Sequence, residues 1–446
     1  MKETNARQYA LEILIDVDIN NAYSNLAINK HLRDKEIEKI DKRLITELVY
    51  GVIENRIYLD FIIKTLSKIR MKKINNSVLN ILRLGLYQII FLDKIPAFAA
   101  VNETVKLAKK IDFRSVGFIN GILRNYLRNK DLIKIPLLED QPISSLSITY
   151  SHPEWLVEKW IEEFGLEDTE KLLKANNETP PLTVRTNTLA TTKDELKKLL
   201  INENLGVSDG VYIKEALNIA NAASIEELES FKMGYFQVQD ESSMMVAHIL
   251  DPKPGDTVID VCAAPGGKTT HIAQLMKNQG KILARDIYDH KLKLIQQNAE
   301  RLKINIIKTQ CYNAKELDVD LIGKFDKVLV DAPCSGLGII RRKPELKYNK
   351  KPDNIQEITE LQLDILSNSS RYLKTGGTMV YSTCTITREE NSMVVEKFLN
   401  NNKEFEAIDV CDNIPEPLIH TEKFLQLYPH KHGTDGFFIS KLRKKL

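Results

Sequence analysis

Residues 257–286, TVIDVCAAPGGKTTHIAQLMKNQGKILARD, contain the pattern that decides the fold. The apolar segment TVIDV predicts a buried strand, and the segment TTHIAQLM predicts a helix that follows a loop of small residues and paired glycines. The segment KILARD predicts the next strand. A strand, a loop, a helix and a second strand in this order form a βαβ unit, in which the two strands are parallel.

The same alternation continues through the C-terminal part of the chain. Further predicted helices and strands are HKLKLIQQNAERL, KVLVDAP, ELQLDILSNSSRYL and GTMVYSTC. Such alternation predicts a doubly wound, Rossmann-like α/β domain, with a parallel sheet covered by helices on both faces and with right-handed crossovers. We place this domain at residues 238–446.

Two other domains precede it. Residues 1–135 have apolar positions at the helical period and no strand-like alternation, which predicts an all-α domain, with the apolar segment 78–92 as its central helix. The proline- and serine-rich segment between residues 130 and 153 predicts a linker. Residues 150–237 combine helical and strand patterns, including a strand near VYIKEAL, and predict a small α+β module.

Composition limits the class of protein. The 446 residues are 43% hydrophobic and 28% charged, as in ordinary globular proteins, and no stretch approaches the ~20 apolar residues that span a bilayer. We therefore expect a cytoplasmic protein with no membrane contact. The five cysteines include no Cys-x-x-Cys pair and show no metal-ligand spacing with the eight histidines, so we expect neither a disulfide framework nor a metal site.

Charge is distributed unevenly along the chain. The formal net charge is +2, but residues 1–135 contain 24 Lys+Arg and 15 Asp+Glu, a difference of +9. This excess favours a polyanionic partner for the N-terminal domain. An ordinary solvated helical surface explains the same count, and charge alone leaves both interpretations open.

The loop after the first strand of the α/β domain is a candidate cofactor site. Small residues and glycines let backbone amides approach a ligand at the carboxyl end of a parallel strand. A phosphate-binding loop would need a glycine at position 262, where this chain has a cysteine. The candidate cofactor-binding residues of this loop are Cys262, Ala263, Ala264, Pro265, Gly266, Gly267 and Lys268.

An acidic residue supports a nucleoside as the ligand. Asp286 ends the next predicted strand, about 20 residues after Gly266, where a carboxylate can accept hydrogen bonds from both hydroxyls of a ribose. A helix N-cap or a solvated turn is the alternative role for Asp286. Its place after the second strand favours the cofactor role.

Two cysteines follow later strands of the same sheet. Cys334 lies in Asp331-Ala-Pro-Cys-Ser-Gly, and Cys384 ends Ser-Thr-Cys. Both are therefore expected at the sheet edge where the ligand should bind, and this position favours a catalytic role over a structural one. Cys311 and Cys411 are predicted to be buried structural residues. The sequence TREE at 387–390 predicts a capping box, which would place Cys384 in the loop before a helix.

These blocks resemble a known family. DVCAAPGGKT, DAPCSG with GIIRRKPELK, and YSTCTITREEN resemble the RNA cytosine-5 methyltransferases, in the bacterial branch that acts on 16S ribosomal RNA. YSHPEWLVEKW and GYFQVQDESS resemble the middle segment of that branch, HGTDGFFISKL resembles its closing hairpin, and the helical N-terminal domain resembles a NusB-type RNA-binding domain. The resemblance covers nearly the whole chain. It implies an RRM-like, RNA-binding middle module and methyl transfer from S-adenosyl-L-methionine to C5 of a cytosine in RNA.

The resemblance also implies roles for individual residues. Cys384 would be the nucleophile that adds to C6 of the base, and Cys334 would help to release the enzyme afterwards. Asp331 would hydrogen-bond the base near N3 or N4 and border the cofactor, and Lys268 would lie at the active centre. Asn313 stands where related chains usually have an aspartate that faces the adenine.

Other interpretations of the function stay open. The basic segment Arg341-Arg342-Lys343 is predicted to contact the phosphate backbone of an RNA whose target cytosine is unpaired or flipped outward. The same chemistry would serve a transfer RNA cytosine-5 methyltransferase. A third possibility is a non-catalytic RNA-binding assembly or antitermination factor. In each case we expect a monomer.

Overall fold

The computed structural model describes residues 6–20, 22–33, 35–222, 224–410, 418 and 423–446. The chain divides into two compact units, the first made of Met1–Glu178 with Ile340–Lys350 and the second of Thr179–Ile339 with Lys351–Leu446. Within the described ranges, no helix is both long enough and apolar enough to cross a membrane. Cys411 lies outside the described residues.

The first unit contains α-helices and short 3₁₀ turns, as the sequence predicted for the N-terminal domain. Its helices are α1 (Ala6–Asn20), α2 (Ser24–Leu32), α3 (Lys39–Glu54), α4 (Arg56–Leu66), α5 (Asn76–Phe91), α6 (Ala97–Ile111), α7 (Val116–Asn129), α8 (Pro142–Tyr150), α9 (Glu154–Phe164), α10 (Leu166–Asn176) and the short α16 (Leu346–Asn349).

Helix α5 is the central helix of this unit, as predicted. Every residue from Val78 to Gln88 is buried. Among them is Arg83, which makes two hydrogen bonds of 2.7 Å to Asp60 and one of 2.9 Å to Asp18. These carboxylates compensate the positive charge of the buried guanidinium, so α5 can be buried on all sides.

The prediction of a linker between residues 130 and 153 is wrong, because that stretch contains helix α8. Residues Ser145–Ile148 of this helix are buried. Pro142 stands in the first turn, where its missing N–H removes no helical hydrogen bond, so proline starts this helix rather than breaking it. Proline and serine content therefore misled the sequence interpretation here.

The segment Ile340–Lys350 folds with the first unit although it follows Cys334 closely in sequence. The Glu345 carboxylate accepts hydrogen bonds from the backbone N–H of Ser24 at 3.0 Å and from its hydroxyl at 2.9 Å. Arg341 is only 9% exposed. A side chain this buried leaves little surface for the phosphate contact that the sequence predicted for Arg341.

The second unit begins with a four-stranded antiparallel sheet in the order β2-β3-β1-β4. Its elements are β1 (Leu182–Thr186), α11 (Lys193–Asn202), β2 (Gly206–Asp209), β3 (Ala216–Ala220), α12 (Glu229–Lys232) and β4 (Phe236–Val238). Strand β3 begins later than the predicted VYIKEAL strand. The backbone N–H groups of Val211, Tyr212 and Ile213 instead donate to the Glu241 carboxylate.

An eight-stranded sheet follows, with seven strands in the order β10-β12-β9-β8-β5-β6-β7 and β11 paired to β12. The pairings among β5 to β9 are parallel, and β12 is antiparallel to its neighbours. The elements are α13 (Glu241–Leu250), β5 (Thr257–Asp260), α14 (Gly267–Leu275), β6 (Lys281–Asp286), α15 (Asp289–Arg301), β7 (Ile307–Cys311), β8 (Phe325–Asp331), α17 (Pro352–Ser370), β9 (Leu373–Thr383), α18 (Ser392–Asn401), β10 (Phe405–Ile408), β11 (Phe424–Leu427), α19 (Pro429–His432) and β12 (Phe437–Lys444).

Helices cover both faces of this sheet. Val258 packs in an apolar cluster with residues of α13 and α14, whereas its neighbour Ile259 packs in another with residues of α17 and α18. Successive residues of a strand point to opposite faces, so the two clusters lie on opposite sides. The predicted Rossmann-like architecture is confirmed.

Candidate active site

Four strands bring polar or reactive residues to one edge of the sheet. Strand β5 ends at Asp260, β6 at Asp286, β8 at Asp331 and β9 at Thr383, directly before Cys384. These strands are parallel, so their carboxyl ends meet at the same edge, where α/β proteins bind ligands. The fold thus gathers residues that are far apart in sequence.

The glycine loop makes a tight turn from β5 into α14. Gly266 has φ +98°, and a Cβ on it would lie 3.2 Å from the Cα of Ile295. Its backbone N–H donates to the Ala263 carbonyl at 2.7 Å. Glycine is therefore required at this position both by its conformation and by the space available. Helix α14 starts at the next residue, Gly267, two residues before the predicted start at Thr269.

The other loop residues offer backbone rather than reactive side chains. Ala263 and Ala264 pack against Leu292 and Ile295, and Pro265 is exposed.

The remaining side chain of the loop, Cys262, is partly buried. It packs beside an apolar cluster that includes strands β5 and β8. Burial raises the pKa of its thiol well above the ordinary value, and nearby carboxylates act in the same direction. This cysteine is held as a neutral thiol.

Asp286 connects the second strand to the loop. Its Oδ1 accepts from the backbone N–H of Tyr288 at 3.1 Å, and its Oδ2 accepts from that of Ala264 at 3.3 Å. The turn role that was the alternative is thus present. Each carboxylate oxygen can accept two hydrogen bonds and here accepts one from the backbone. Each oxygen of Asp286 can therefore accept one more hydrogen bond, from a hydroxyl group.

Asn313 lies two residues beyond the end of β7. Its Oδ1 accepts from the backbone N–H of Lys315 at 3.2 Å, and its Nδ2 donates to Glu316 at 3.2 Å. Both ends of the amide therefore stabilise a local turn. Contact with an adenine stays a prediction for this residue.

The two candidate cysteines lie side by side. The Sγ atoms of Cys334 and Cys384 are 3.3 Å apart, within hydrogen-bond distance for sulfur, and both residues are partly buried. The hydrogen bond with Cys384 and burial raise the pKa of Cys334 well above the ordinary value. These effects favour the neutral thiol at Cys334.

An ion pair lies at the same edge of the sheet. The Nζ of Lys268 donates to Oδ2 of Asp331 at 2.7 Å, and the hydroxyl of Ser382 donates to Oδ1 at 2.8 Å. Burial lowers the pKa of Lys268. The charge of Asp331 and its hydrogen bond act in the opposite direction, and the pKa of Lys268 is raised. Negative charge at Cys384 acts in the same direction, so Lys268 in turn favours a thiolate there.

The prediction that Cys311 is buried is wrong. It is exposed, and its Sγ contacts the Ile287 carbonyl at 3.4 Å. Cys311 ends β7, which is an edge strand of the sheet formed by the described residues.

The predicted capping box at 387–390 is also wrong. Helix α18 starts at Ser392, and its N-cap residue, Asn391, makes no side-chain cap bond. Thr387 and Glu390 instead bond to each other through their side chains, at 2.5 Å. The sequence interpretation assigned Glu390 to a helix end, whereas it is a fully buried carboxylate six residues after Cys384.

Arg185 of β1 is a buried residue that the sequence interpretation missed. It donates to the Gly267 carbonyl at 2.8 Å and to the side chains of Thr270 and Gln274 at 3.1 Å each, and it also bonds Gln239. Burial lowers the pKa of Arg185 to about 9. The bonds to Gly267, Thr270 and Gln274 join the antiparallel sheet to helix α14, which directly follows the glycine loop.

Replacing Arg185 with methionine is expected to lower the free energy of unfolding of the second unit by about 3 kcal/mol, because buried acceptors lose their donors. Urea unfolding monitored by circular dichroism would measure this change. Lys193→Met is a suitable control, since that side chain is on the surface near Asp209. An equal effect of both substitutions would contradict the role of Arg185.

The structure also gathers a cluster that sequence spacing did not suggest. Ligand atoms of Glu215, His248 and His271 lie within 4.8 Å of one another. One carboxylate oxygen of Glu215 accepts from Nε2 of His248 at 2.7 Å and from Nε2 of His271 at 3.0 Å. Burial, and then the positive charge of Arg185, lower the pKa of His271 to about 3. A neighbouring guanidinium disfavours a cation, so this cluster is best described as a buried hydrogen-bond network.

Comparison with known proteins gives similarities over the whole chain. Residues 247–443 match the family described as 16S rRNA methyltransferase RsmB/F, residues 4–128 match the NusB family, and residues 152–226 match the ferredoxin-like domain of RsmF/B-like methyltransferases. The chain is 41% identical over 451 residues to the probable ribosomal RNA small subunit methyltransferase B of Bacillus subtilis (strain 168), with 100% of both chains covered.

Two solved structures are similar in fold. The crystal structure of PH0851 matches with a TM-score of 0.81 and 28% identity, covering 99% of each chain. The crystal structure of NSun6 from Pyrococcus horikoshii with SFG matches with a TM-score of 0.58 and 28% identity, covering 66% of this chain and 98% of that one.

Proposed function

Since this chain belongs to the RsmB/F family of 16S ribosomal RNA methyltransferases, we propose that it methylates C5 of a specific cytosine through a covalent bond between Cys384 and C6. The observation that carries this proposal is the pair of thiols 3.3 Å apart at the strand edge. A reaction that forms and then breaks a carbon–sulfur bond can use one cysteine for each task.

The chemistry explains why a nucleophile is needed. C5 of cytosine is a poor nucleophile until the Cys384 thiolate adds to C6 and enriches C5 in electrons. S-adenosyl-L-methionine supplies an electrophilic methyl group when bound. We assign Asp331 the hydrogen bond to the base near N3 or N4. Lys268 and Ser382, which bond to its two oxygens, support this role because they hold the carboxylate in a fixed orientation.

Release of the enzyme needs the second cysteine. C5 loses its proton to solvent, the electron pair forms the C5–C6 double bond, and Cys384 leaves as a thiolate. We assign Cys334 the role of stabilising that leaving sulfur, because its thiol retains its proton and lies within hydrogen-bond distance of Cys384.

The residues of the glycine loop fit S-adenosyl-L-methionine. The Asp286 carboxylate has the acceptor capacity for two ribose hydroxyls, and the turn at Gly266 and Gly267 allows backbone to approach the ligand. Cys262, Ala263, Ala264, Pro265 and Lys268 complete the set that we assign to this cofactor.

The proposal is tested by transfer of a labelled methyl group from S-adenosyl-L-methionine to 16S ribosomal RNA that lacks its modifications. Nucleoside mass spectrometry should find the label in 5-methylcytidine. Label in transfer RNA alone would favour the transfer RNA enzyme, and no label in either RNA would favour a non-catalytic binding factor.

We assign the helical N-terminal region to RNA binding. Its excess of basic residues over residues 1–135 includes Lys72 and Lys73, which are exposed in a short 3₁₀ turn before α5. Replacing both with glutamine is expected to reduce the slope of log K against log[salt] by about 1.4, or ~0.7 for each lost phosphate contact with single-stranded RNA. Filter binding across a salt series would measure the slope.

The matched control replaces Lys397 and Lys403, which are also exposed but belong to the second unit. This pair should leave the slope unchanged. Equal slopes for the Lys72/Lys73 variant and the unaltered protein would refute RNA contact at this turn.

A further inference from the structure

The loops that carry the two cysteines meet on one buried carboxylate. Glu390 is fully buried, and its Oε2 accepts from the backbone N–H of Ser335 at 2.7 Å. Its Oε1 accepts from the hydroxyls of Ser335 and Thr387 at 2.5 Å each and lies 3.4 Å from that of Thr385. Ser335 directly follows Cys334, and Thr385 directly follows Cys384. One carboxylate therefore holds both loops.

Further bonds fix the carboxylate itself. Gln362 of α17 donates to Oε2 of Glu390 at 3.1 Å, and the Tyr381 hydroxyl donates to its backbone carbonyl at 2.7 Å. Such bonds restrict Glu390 to one position. Glu390 therefore fixes the geometry between the two loops together with a direct bond between the hydroxyls of Ser335 and Thr385, which are 2.8 Å apart.

Two charged side chains, Glu390 and Lys268, act on the pair of thiols. The hydrogen bond with Cys384 and burial raise the pKa of Cys334, and the negative charge of Glu390 adds to them in the same direction. On the Cys384 side lies the Lys268 ammonium, paired with Asp331. A negative group disfavours a neighbouring thiolate, whereas a positive group favours one.

We propose that Glu390 is a positioning residue that joins the two loops and gives the two thiols different roles, with Cys384 as nucleophile and Cys334 as the protonated partner. This inference rests on the proposed function for its catalytic meaning. It adds the physical reason why one cysteine of a close pair attacks and the other assists.

Glu390→Gln is the informative substitution, because glutamine can occupy the same site without the charge. Its carbonyl oxygen can accept from the Ser335 N–H, and its amide group can face the hydroxyls on the other side, which can turn and accept. Thr387→Val is the matched control, since it removes one hydrogen bond from the carboxylate and leaves the charge in place.

The experiment measures iodoacetamide modification of each cysteine in the full-length protein at pH 7.5, with peptide mass spectrometry to separate Cys334 from Cys384. We expect Cys384 to react faster in the unaltered protein. The ratio of the two rates should fall about tenfold in Glu390→Gln, because Cys334 loses its negative neighbour, and should change less than about twofold in Thr387→Val.

A kinetic readout accompanies the modification rates. In Glu390→Gln, the single-turnover rate of methyl transfer should fall about tenfold while the KM for S-adenosyl-L-methionine stays within about twofold. An unchanged ratio of modification rates in Glu390→Gln, or an equal change in Thr387→Val, would overturn the inference.

The unaltered protein provides a test that does not depend on folding of a variant. Its modification rates as a function of pH should show Cys384 ionising at lower pH than Cys334, and the reverse order would also overturn the inference. Absence of 5-methylcytidine with the unaltered enzyme would instead refute the proposed function, so the two failures are distinguishable.

Discussion

Replacing Cys384 with alanine is expected to lower the rate of methyl transfer by at least about 1,000-fold, which corresponds to about 4 kcal/mol of transition-state stabilisation. Without the thiolate, C6 has no covalent partner and C5 stays a poor nucleophile. The measurement is the single-turnover formation of 5-methylcytidine in 16S ribosomal RNA. Cofactor binding, measured by calorimetry, should change little, because Cys384 lies outside the glycine loop.

The matched control for this variant is Cys311→Ala. Cys311 is an exposed thiol at the end of β7, and it takes no part in the cysteine pair. This variant should retain full activity. If Cys384→Ala retained more than about a tenth of the activity, covalent catalysis by this residue would be refuted.

Replacing Cys334 with alanine is expected to separate methyl transfer from release of the enzyme. The first turnover should stay within about tenfold of the unaltered rate, while steady-state turnover should fall by about 100-fold or more, because the leaving sulfur loses its hydrogen-bond partner. A covalent protein–RNA complex should then accumulate and appear as a slower band on a denaturing gel. Equal losses in the first and later turnovers, with no such band, would show that Cys334 does not act in release.

The strand-edge residues could be predicted because they depend on a local pattern. An apolar strand followed by glycines or a cysteine places that residue at the carboxyl end of a parallel sheet, whatever the rest of the chain does. This rule located Gly266, Asp286, Cys334 and Cys384 at one edge. The left-handed turn at Gly266 follows from the same pattern.

The residues that sequence interpretation missed depend on contacts between distant parts of the chain. Glu390 meets Ser335 across 55 positions, and Arg185 meets Gly267 across 82 positions. Neither contact leaves a periodic signal in the sequence. TREE has the spacing of a capping box, but in the structure the carboxylate bonds to the cysteine loops instead of capping a helix.

Tertiary contacts also decided the exposed or buried state of single residues. Cys311 is exposed because β7 is an edge strand, which strand order determines and local sequence does not. Arg341 is buried because the segment Ile340–Lys350 folds with the helical unit. A run of basic residues would ordinarily predict a solvated surface.

Covalent catalysis by Cys384 can be tested by locating the covalent bond in the complex that Cys334→Ala forms with unmodified 16S ribosomal RNA. The complex would be digested with protease and nuclease, and tandem mass spectrometry would identify the peptide and the attached nucleotide. We expect a methylated cytidine on the peptide that contains Cys384. A nucleotide on any other residue, or a base other than cytosine, would contradict it.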